Sequence, residues 1–155
     1  MLRRVPMHVV ADLDELEGLI ANVPLPIVVI FDADNTLVPQ GVTVDAFSRD
    51  VTAVIDRFEA QPSVARVIVL TNGPDRGVPG MIHRGNKPWT TRRRLGLDST
   101  HRGVCIVGDQ VLTDGILAWR LGATFVLLAI DVQTETPRQA AMRRVGSALT
   151  PLLFR

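Results

Sequence analysis

The amino-acid sequence predicts an α/β fold in which a parallel sheet lies between two layers of helices. Apolar, largely β-branched runs without polar alternation recur along the chain, as in strands that are buried on both faces. Segments with helical periodicity separate these runs, and such alternation is typical of parallel sheets with right-handed crossovers. The 155 residues, 46% of them hydrophobic, suffice for one domain over residues 1–155 with a full core.

The first half of the chain is predicted to contribute two helices and two strands. Residues 1–23 form an N-terminal helical extension, in which Asp12 caps a helix. Thr43 is a good capping residue for the second helix. In chain order, the predicted elements are a helix over 12–21, a strand over 27–31, a helix from 43 to 60 and a strand over 64–70.

The second half begins with a glycine-rich and proline-rich stretch, residues 73–86, which predicts a loop with a short strand at 78–82. Lys87-Pro88 is expected to open a helix that Gly96 closes, because proline fits the first helical position. The remaining predicted elements are a strand over 104–107, a helix over 113–121, a strand over 123–130 and a basic helix over 137–149 that continues as a tail to residue 155.

Charge and cysteine content restrict the function classes. The formal net charge of +1 gives no overall field that would favour nucleic acid, so no nucleic-acid partner is expected. A single cysteine, Cys105, lies in an apolar run and is interpreted as core filler, which is compatible with a reducing compartment. Acidic residues interrupt the N-terminus before any secretory core, and the apolar runs are far shorter than the roughly 20 residues of a bilayer span. A cytoplasmic location is therefore expected, either free or peripheral at a membrane surface.

Three predicted strands end in polar side chains. Asp32 and Asp34 follow the first strand, Thr71 and Asn72 the second, and Asp109 the third. The carboxyl ends of parallel strands meet at one sheet edge, where open α/β sheets bind ligands, so these side chains are expected to lie close together. Crowded carboxylates repel unless a cation lies among them, and hard oxygen ligands of this kind suit Mg²⁺, which often binds phosphate as well. A strand cap or a turn remains the alternative for the two aspartates taken alone.

Two further residues favour the metal and phosphate interpretation. Lys87 is the only lysine among 17 lysines and arginines, and its compact ammonium can neutralise a phosphate oxygen while approaching a carboxylate. Its alternative is an ordinary surface lysine. Asp114 follows Asp109 where a strand gives way to a helix, which places it to orient Lys87 or a metal-bound water. The alternative for Asp114 is an acid in the first turn of a helix.

These motifs resemble, in order, those of the haloacid dehalogenase (HAD) superfamily of phosphohydrolases over residues 27–130. Asp32-Ala-Asp34-Asn-Thr is similar to the first motif, Thr71 to the second, Lys87 to the third, and Gly-Asp109 through Asp114 to the fourth. The small YqeG-type branch of subfamily IIIA, which includes mitochondrial phosphatidylglycerophosphate phosphatases, is the most similar, although it usually has serine where this chain has threonine. The resemblance implies a three-layer, Rossmann-like HAD core.

The resemblance also implies what each matched residue does. Asp32 would attack phosphorus to give an aspartyl-phosphate, and Asp34 would protonate the leaving group and later deprotonate the attacking water. Mg²⁺ would be held by Asp32, the main-chain carbonyl of Asp34 and Asp109. Thr71 and the backbone amides near Asp34 and Asn72 would bind the phosphoryl oxygens. Lys87 would offset the charge of these oxygens. Asp114 would have a supporting role.

The gaps between the motifs bear on the substrate. Residues 33–70 and 72–86 are too short for the cap domain that many HAD proteins insert there. An open site implies a bulky phosphomonoester, a lipid headgroup at a membrane surface, or a neighbouring subunit of a homo-oligomer that acts as a lid. The C-terminal segment 137–155 combines arginines with apolar residues and is either an interfacial anchor or, more simply, a basic helix packed on the sheet.

These residues and the resemblance together leave three hypotheses for the function. The leading hypothesis is a Mg²⁺-dependent phosphatase acting on phosphatidylglycerophosphate or a similar bulky phosphomonoester. The runner-up is a phosphatase for a soluble phosphorylated metabolite. A non-catalytic module that senses phosphate or binds a partner is the alternative of another class, and the Asp32 and Asp34 pair argues against it because a sensor needs no second carboxylate for proton transfer.

Overall fold

The structure is a computed structural model that describes residues 4–34, 36–37, 42–74, 76–78, 80–98, 100–101, 103–129 and 137–155, with only the backbone described for 137–139. Within these residues one all-parallel sheet is built from five strands: β1 (Met7–Val10), β2 (Ile27–Asp32), β3 (Val64–Leu70), β4 (Gly103–Gly108) and β5 (Thr124–Leu128). The strand order is β1-β5-β4-β2-β3. The α/β class and the parallel sheet predicted from the sequence are confirmed.

Helices cover the sheet on both faces. They are α1 (Leu13–Ala21), α2 (Val44–Glu59), α3 (Ile116–Leu121) and α4 (Pro137–Leu153), and a π-helical turn (Val111–Gly115) precedes α3. The predicted caps are confirmed, since Asp12 accepts a hydrogen bond from the Glu15 amide at 2.8 Å and Thr43 accepts one from Ala46 at 3.3 Å. Each cap satisfies an amide that the first helical turn leaves without a partner.

Two apolar cores lie on opposite faces of the sheet, because successive side chains of a strand point to opposite sides. On one face Phe31 of β2 packs against α2, with the rings of Phe31 and Phe58 in edge contact at 5.0 Å between centroids. On the other face Ile30 shares a core with Leu117 of α3 and with Phe154. The fold therefore has three layers, and β2 is buried at its centre with its carboxyl end open to a site.

The sequence does not predict the strand β1, because it predicts only a helical extension over residues 1–23. Residues 7–10 form a short edge strand that pairs in parallel with β5. Its sequence, Met-His-Val-Val, is too short for a clear pattern, so its conformation is set by the hydrogen bonds that β5 offers rather than by its own residues.

The helix predicted from Lys87 to Gly96 is wrong. These residues form turns, and the Lys87–Pro88 peptide bond is cis. Gly96 does adopt the left-handed conformation of a chain reversal, with a φ of 64°. The segment lacks a helical apolar repeat, and its buried anchors, Leu95 and Leu97, hold it against the α3 face of the sheet.

Other boundaries differ in smaller ways. The strand predicted at 78–82 is reduced, in the described residues, to a single bridge between Ile82 and Leu70. The helix predicted over 113–121 begins instead as the π-helical turn and ends, as predicted, at Gly122, which has a φ of 68°. The strand predicted over 123–130 spans Thr124–Leu128, and residue 130 lies outside the described residues.

The C-terminal segment packs on the sheet. Phe154 is 4% exposed, and its ring lies 5.4 Å from that of Phe125. The helix α4 extends to Leu153, beyond the predicted residue 149, while Val145 and Leu152 remain exposed on its surface. Of the two predictions for this segment, the structure favours the packed helix. Each helix in the described part of the chain is too short or too polar to cross a lipid bilayer.

Candidate active site

Three neighbouring strands bring the predicted residues to one edge of the sheet. Asp32 ends the central strand β2, and the register pairs it with Leu70 of β3 and pairs Phe31 with Val107 of β4. Thr71 and Asp109 therefore follow on either side of Asp32, at nearly the same height. The sheet explains why residues so distant in sequence meet here.

The centre of the site is the side chain of Lys87, which lies between two aspartates. Its Nζ is 2.6 Å from Asp32 Oδ1 and 2.8 Å from Asp114 Oδ1. The exposed fractions of these side chains are 4% for Lys87, 10% for Asp32 and 1% for Asp114. Ion pairs so shielded from water are strong and geometrically fixed, so the lysine holds both carboxylates in place.

The π-helical turn directs Asp114 toward the lysine. The amides of Asp114 and Gly115 both donate to the Gln110 carbonyl, at 3.0 and 3.3 Å, so the turn is wider than an α-helical one. Such single wide turns often occur at functional sites. Gly108 leaves the space that the Asp114 carboxylate occupies, because a Cβ atom at position 108 would overlap that carboxylate.

Asp109 completes a group of three carboxylates with Asp32 and Asp114. One oxygen from each lies within 4.8 Å of the others, which fits the ligand set of a metal ion. The ammonium of Lys87 pairs with two of these acids, Asp32 and Asp114, so one positive charge faces two carboxylates in a largely buried place. Oxygen ligands and surplus charge together suit a hard divalent cation such as Mg²⁺.

The surplus charge also affects proton affinities. Burial raises the pKa of Asp32 well above its ordinary value, the carboxylates of Asp114 and Asp109 raise it further, and Lys87 offsets only part of this. For Lys87, burial lowers the pKa, but the carboxylates of Asp114 and Asp32 together raise it above its ordinary value. The ammonium is therefore charged at neutral pH, and an added cation would relieve the repulsion among the acids.

Asp34 faces a different set of partners. Its Oδ2 accepts a hydrogen bond from the Thr71 hydroxyl at 2.8 Å, and that hydroxyl accepts one from the Gly73 amide at 2.9 Å. Its Oδ1 lies 2.8 Å from Nη2 of Arg76. The Asp34 side chain is thus outside the group of three carboxylates, and the metal role predicted for Asp34 concerns its main-chain carbonyl.

Asn72 fixes the backbone of Lys87. Its Oδ1 accepts from the Lys87 amide at 2.7 Å, and its Nδ2 donates to the Lys87 carbonyl at 3.2 Å. Just before the lysine, Arg84 and Asn86 have positive φ values of 46° and 54°, which side chains other than glycine rarely adopt. The loop before Lys87 thus has an energetically unfavourable backbone conformation, which places the Lys87 side chain between Asp32 and Asp114.

The structure brings together all of the predicted site residues, which are Asp32, Asp34, Thr71, Asn72, Lys87, Asp109 and Asp114. Asn35 of the first motif lies outside the described residues. The phosphate role predicted at Asn72 concerns the backbone amides near it, while its side chain bonds the backbone of Lys87. Arg76 was missed, because one arginine in a glycine-rich loop of an arginine-rich chain gives no signal in the sequence.

Two arginines of the turns after Lys87 donate hydrogen bonds to backbone carbonyls. Arg92 donates to the carbonyls of Asp98 and His101, at 3.2 and 3.0 Å, and Arg94 donates to that of Arg84 at 2.8 Å. They stabilise the turns after Lys87.

Comparisons of the chain with protein-family models, with curated proteins and with solved structures find no match.

Proposed function

We propose that the chain is a Mg²⁺-dependent phosphomonoester hydrolase of the HAD type, acting through an aspartyl-phosphate at Asp32. The observation that carries the proposal is the buried ammonium of Lys87 between Asp32 and Asp114, with Asp109 beside them. A nucleophilic carboxylate, a fixed cation and a further set of oxygen ligands at one sheet edge are what phosphoryl transfer requires. The order of the four motifs along the chain supports the same proposal.

Asp32 and Asp109, with the main-chain carbonyl of Asp34, would hold Mg²⁺, and Asp114 would hold Lys87. The metal would supply positive charge for the phosphoryl oxygens. The fit rests on the chemistry of the donors, because three carboxylates each offer an oxygen within 4.8 Å of the others and the ammonium of Lys87 pairs with only two of them.

The reaction follows from the placement of the two aspartates. The Asp32 carboxylate attacks phosphorus as the bond from phosphorus to the ester oxygen breaks, and Asp34, which enters this step as the protonated acid, gives its proton to the departing alkoxide and becomes a carboxylate. Asp34 then takes a proton from the water that attacks the aspartyl-phosphate, which releases inorganic phosphate and restores Asp32. Lys87 stays protonated throughout and offsets charge on the phosphoryl oxygens, while the Thr71 hydroxyl would turn from Asp34 toward one of them.

The surroundings of the site bear on the substrate. Residues 33–70 and 72–86 contain, in their described parts, α2, β3 and loops, with no inserted domain over the site. A site without a cap favours a bulky phosphomonoester such as a phosphatidylglycerophosphate-like lipid. A soluble phosphorylated metabolite is the second candidate, and a neighbouring subunit would then serve as the lid.

Hydrolysis of p-nitrophenyl phosphate tests the proposal. We expect turnover with Mg²⁺, none after chelation with EDTA, and none in Asp32→Asn, whose circular dichroism should match the wild type. Asp56→Asn, which alters an exposed aspartate on α2, is the matched control and should retain full activity. Undiminished activity in Asp32→Asn would exclude the mechanism. A panel of phosphorylated lipids and metabolites, assayed with and without liposomes, then separates the two substrate classes.

A further inference from the structure

The carboxylate of Asp34 is held at both of its oxygens. Thr71 donates to Oδ2 at 2.8 Å, and Arg76 Nη2 lies 2.8 Å from Oδ1. The Asp34 side chain is 29% exposed, so it lies at the mouth of the site rather than inside it. A partly exposed carboxylate would ordinarily rotate about its side-chain bonds, and these two contacts fix it in one orientation. When the Thr71 hydroxyl turns to a phosphoryl oxygen, the contact with Arg76 is the one that still holds Asp34.

Arg76 is itself fixed by the protein core. Its Cζ lies 4.4 Å from the centroid of the Phe47 ring, and Phe47 is 1% exposed within α2. A guanidinium can stack its face on an aromatic ring while its edge bonds a carboxylate, which the ammonium of a lysine cannot do. The buried Phe47 ring therefore sets the position of the Arg76 guanidinium, and the guanidinium in turn fixes the Asp34 carboxylate.

We propose that Arg76 is a positioning residue that holds Asp34 for proton transfer to the leaving group, an inference that rests on the proposed hydrolase function. Arg76 acts through Asp34, and within the described part of the chain it forms no ion pair with Asp32, which pairs with Lys87. A positioned acid matters most when the leaving alkoxide is a strong base, and it matters little when the leaving group departs readily without a proton. Loss of Arg76 should therefore affect substrates unequally.

The test compares two substrates that differ in their leaving group. The ratio kcat/KM, which covers the steps through departure of the leaving group, is measured with Mg²⁺ for glycerol 2-phosphate and for 2,4-dinitrophenyl phosphate. In Arg76→Ala we expect a loss of about tenfold or more on the alkyl phosphate and of less than about threefold on the activated aryl phosphate. Phe47→Leu, which removes the ring and keeps a buried apolar side chain, should show the same selectivity to a smaller extent.

Arg49→Ala is the matched control, because Arg49 lies exposed on α2 and pairs with Asp50 at 3.4 Å, away from Asp34. It should leave both substrates unchanged. Equal losses on the two substrates in Arg76→Ala and Phe47→Leu, or no loss in either variant, would overturn the positioning role while the hydrolase function stands. A wild type that hydrolyses neither substrate would overturn the proposed function, and the positioning role with it.

Discussion

The ammonium of Lys87 donates a 2.8 Å hydrogen bond to Asp114 Oδ1, and both side chains are buried. The same ammonium lies 2.6 Å from Asp32, and Asp109 is the third carboxylate of the group. One positive charge is thus paired with two negative ones in a place with little water. Lys87 and Asp114 are therefore unequal partners, because the lysine pairs with two acids and Asp114 is one of those two.

Lys87→Met should destabilise the fold much more than Asp114→Asn. Removing the cation leaves buried carboxylates without their partner, at a cost of roughly 3 kcal/mol, whereas removing one acid also removes repulsion. The free energy of unfolding, measured with urea in the presence of EDTA, tests this. Arg93→Met, which alters an exposed cation, should change it little. Equal effects of Lys87→Met and Asp114→Asn would contradict the charge balance argued here.

Mg²⁺ should raise the temperature of unfolding. A ligand that binds only the folded state stabilises it by about 1.4 kcal/mol when present at about ten times its dissociation constant. Asp109→Asn removes one of the proposed oxygen ligands and its negative charge, so the Mg²⁺-dependent shift should disappear in that variant. Differential scanning fluorimetry after removal of metal with EDTA measures the shift. Asp45→Asn, at an exposed aspartate of α2, should keep it; a full shift in Asp109→Asn would exclude this metal site.

Gly108→Ala should disrupt the site, because a Cβ atom at this position would overlap the Asp114 carboxylate. Asp114 would have to move away from Lys87, so both activity and stability should fall. Gly18→Ala provides the contrast, since no atom lies within 4 Å of its added Cβ in α1, and it should stabilise the fold by about 0.5–1 kcal/mol. Urea unfolding of both variants, together with turnover, measures the difference. A Gly108→Ala variant as stable as the wild type would show that Asp114 can relax.

The strands that form the site were predictable because they are long and buried. Every residue of β2 before Asp32 is buried, and an unbroken apolar run is a strong signal in any sequence. The edge strand β1 was not predictable from its own residues, because β5 supplies its hydrogen bonds. The sequence predicts a helix after Lys87 where the structure has turns, since Pro88 and Gly96 are equally suited to mark turns.

The site was predictable as far as residue type and parallel strands determine it. Lys87 stood out as the single lysine, and the strand ends placed Asp32, Thr71 and Asp109 together. Arg76 could not be found in this way, because its role depends on the distance between its guanidinium and the ring of Phe47. Such contacts between a loop and a helix follow no spacing rule, so they appear only in three dimensions.

The thiol of Cys105 should resist modification in the folded protein. It is 4% exposed in β4, and burial raises its pKa to about 12, so the reactive thiolate is scarce at neutral pH. Ellman's reagent at pH 8 should react slowly with the native chain and react with one thiol per chain in guanidinium chloride. Rapid reaction of the native protein would show that β4 opens readily.

The same thiol should make stability fall at alkaline pH. Below the pKa of an unfolded cysteine, about 8.5, both states hold the proton and the thiol contributes no pH dependence. As the pH rises toward the folded value of about 12, the unfolded state loses its proton first, so the free energy of unfolding decreases by up to about 1.4 kcal/mol per pH unit. Cys105→Ala removes this contribution, so its urea midpoint should fall less steeply between pH 8 and pH 10. The smaller side chain can shift the urea midpoint of Cys105→Ala by the same amount at every pH. If the midpoints of the two proteins fall equally steeply with pH, a buried, neutral thiol is contradicted.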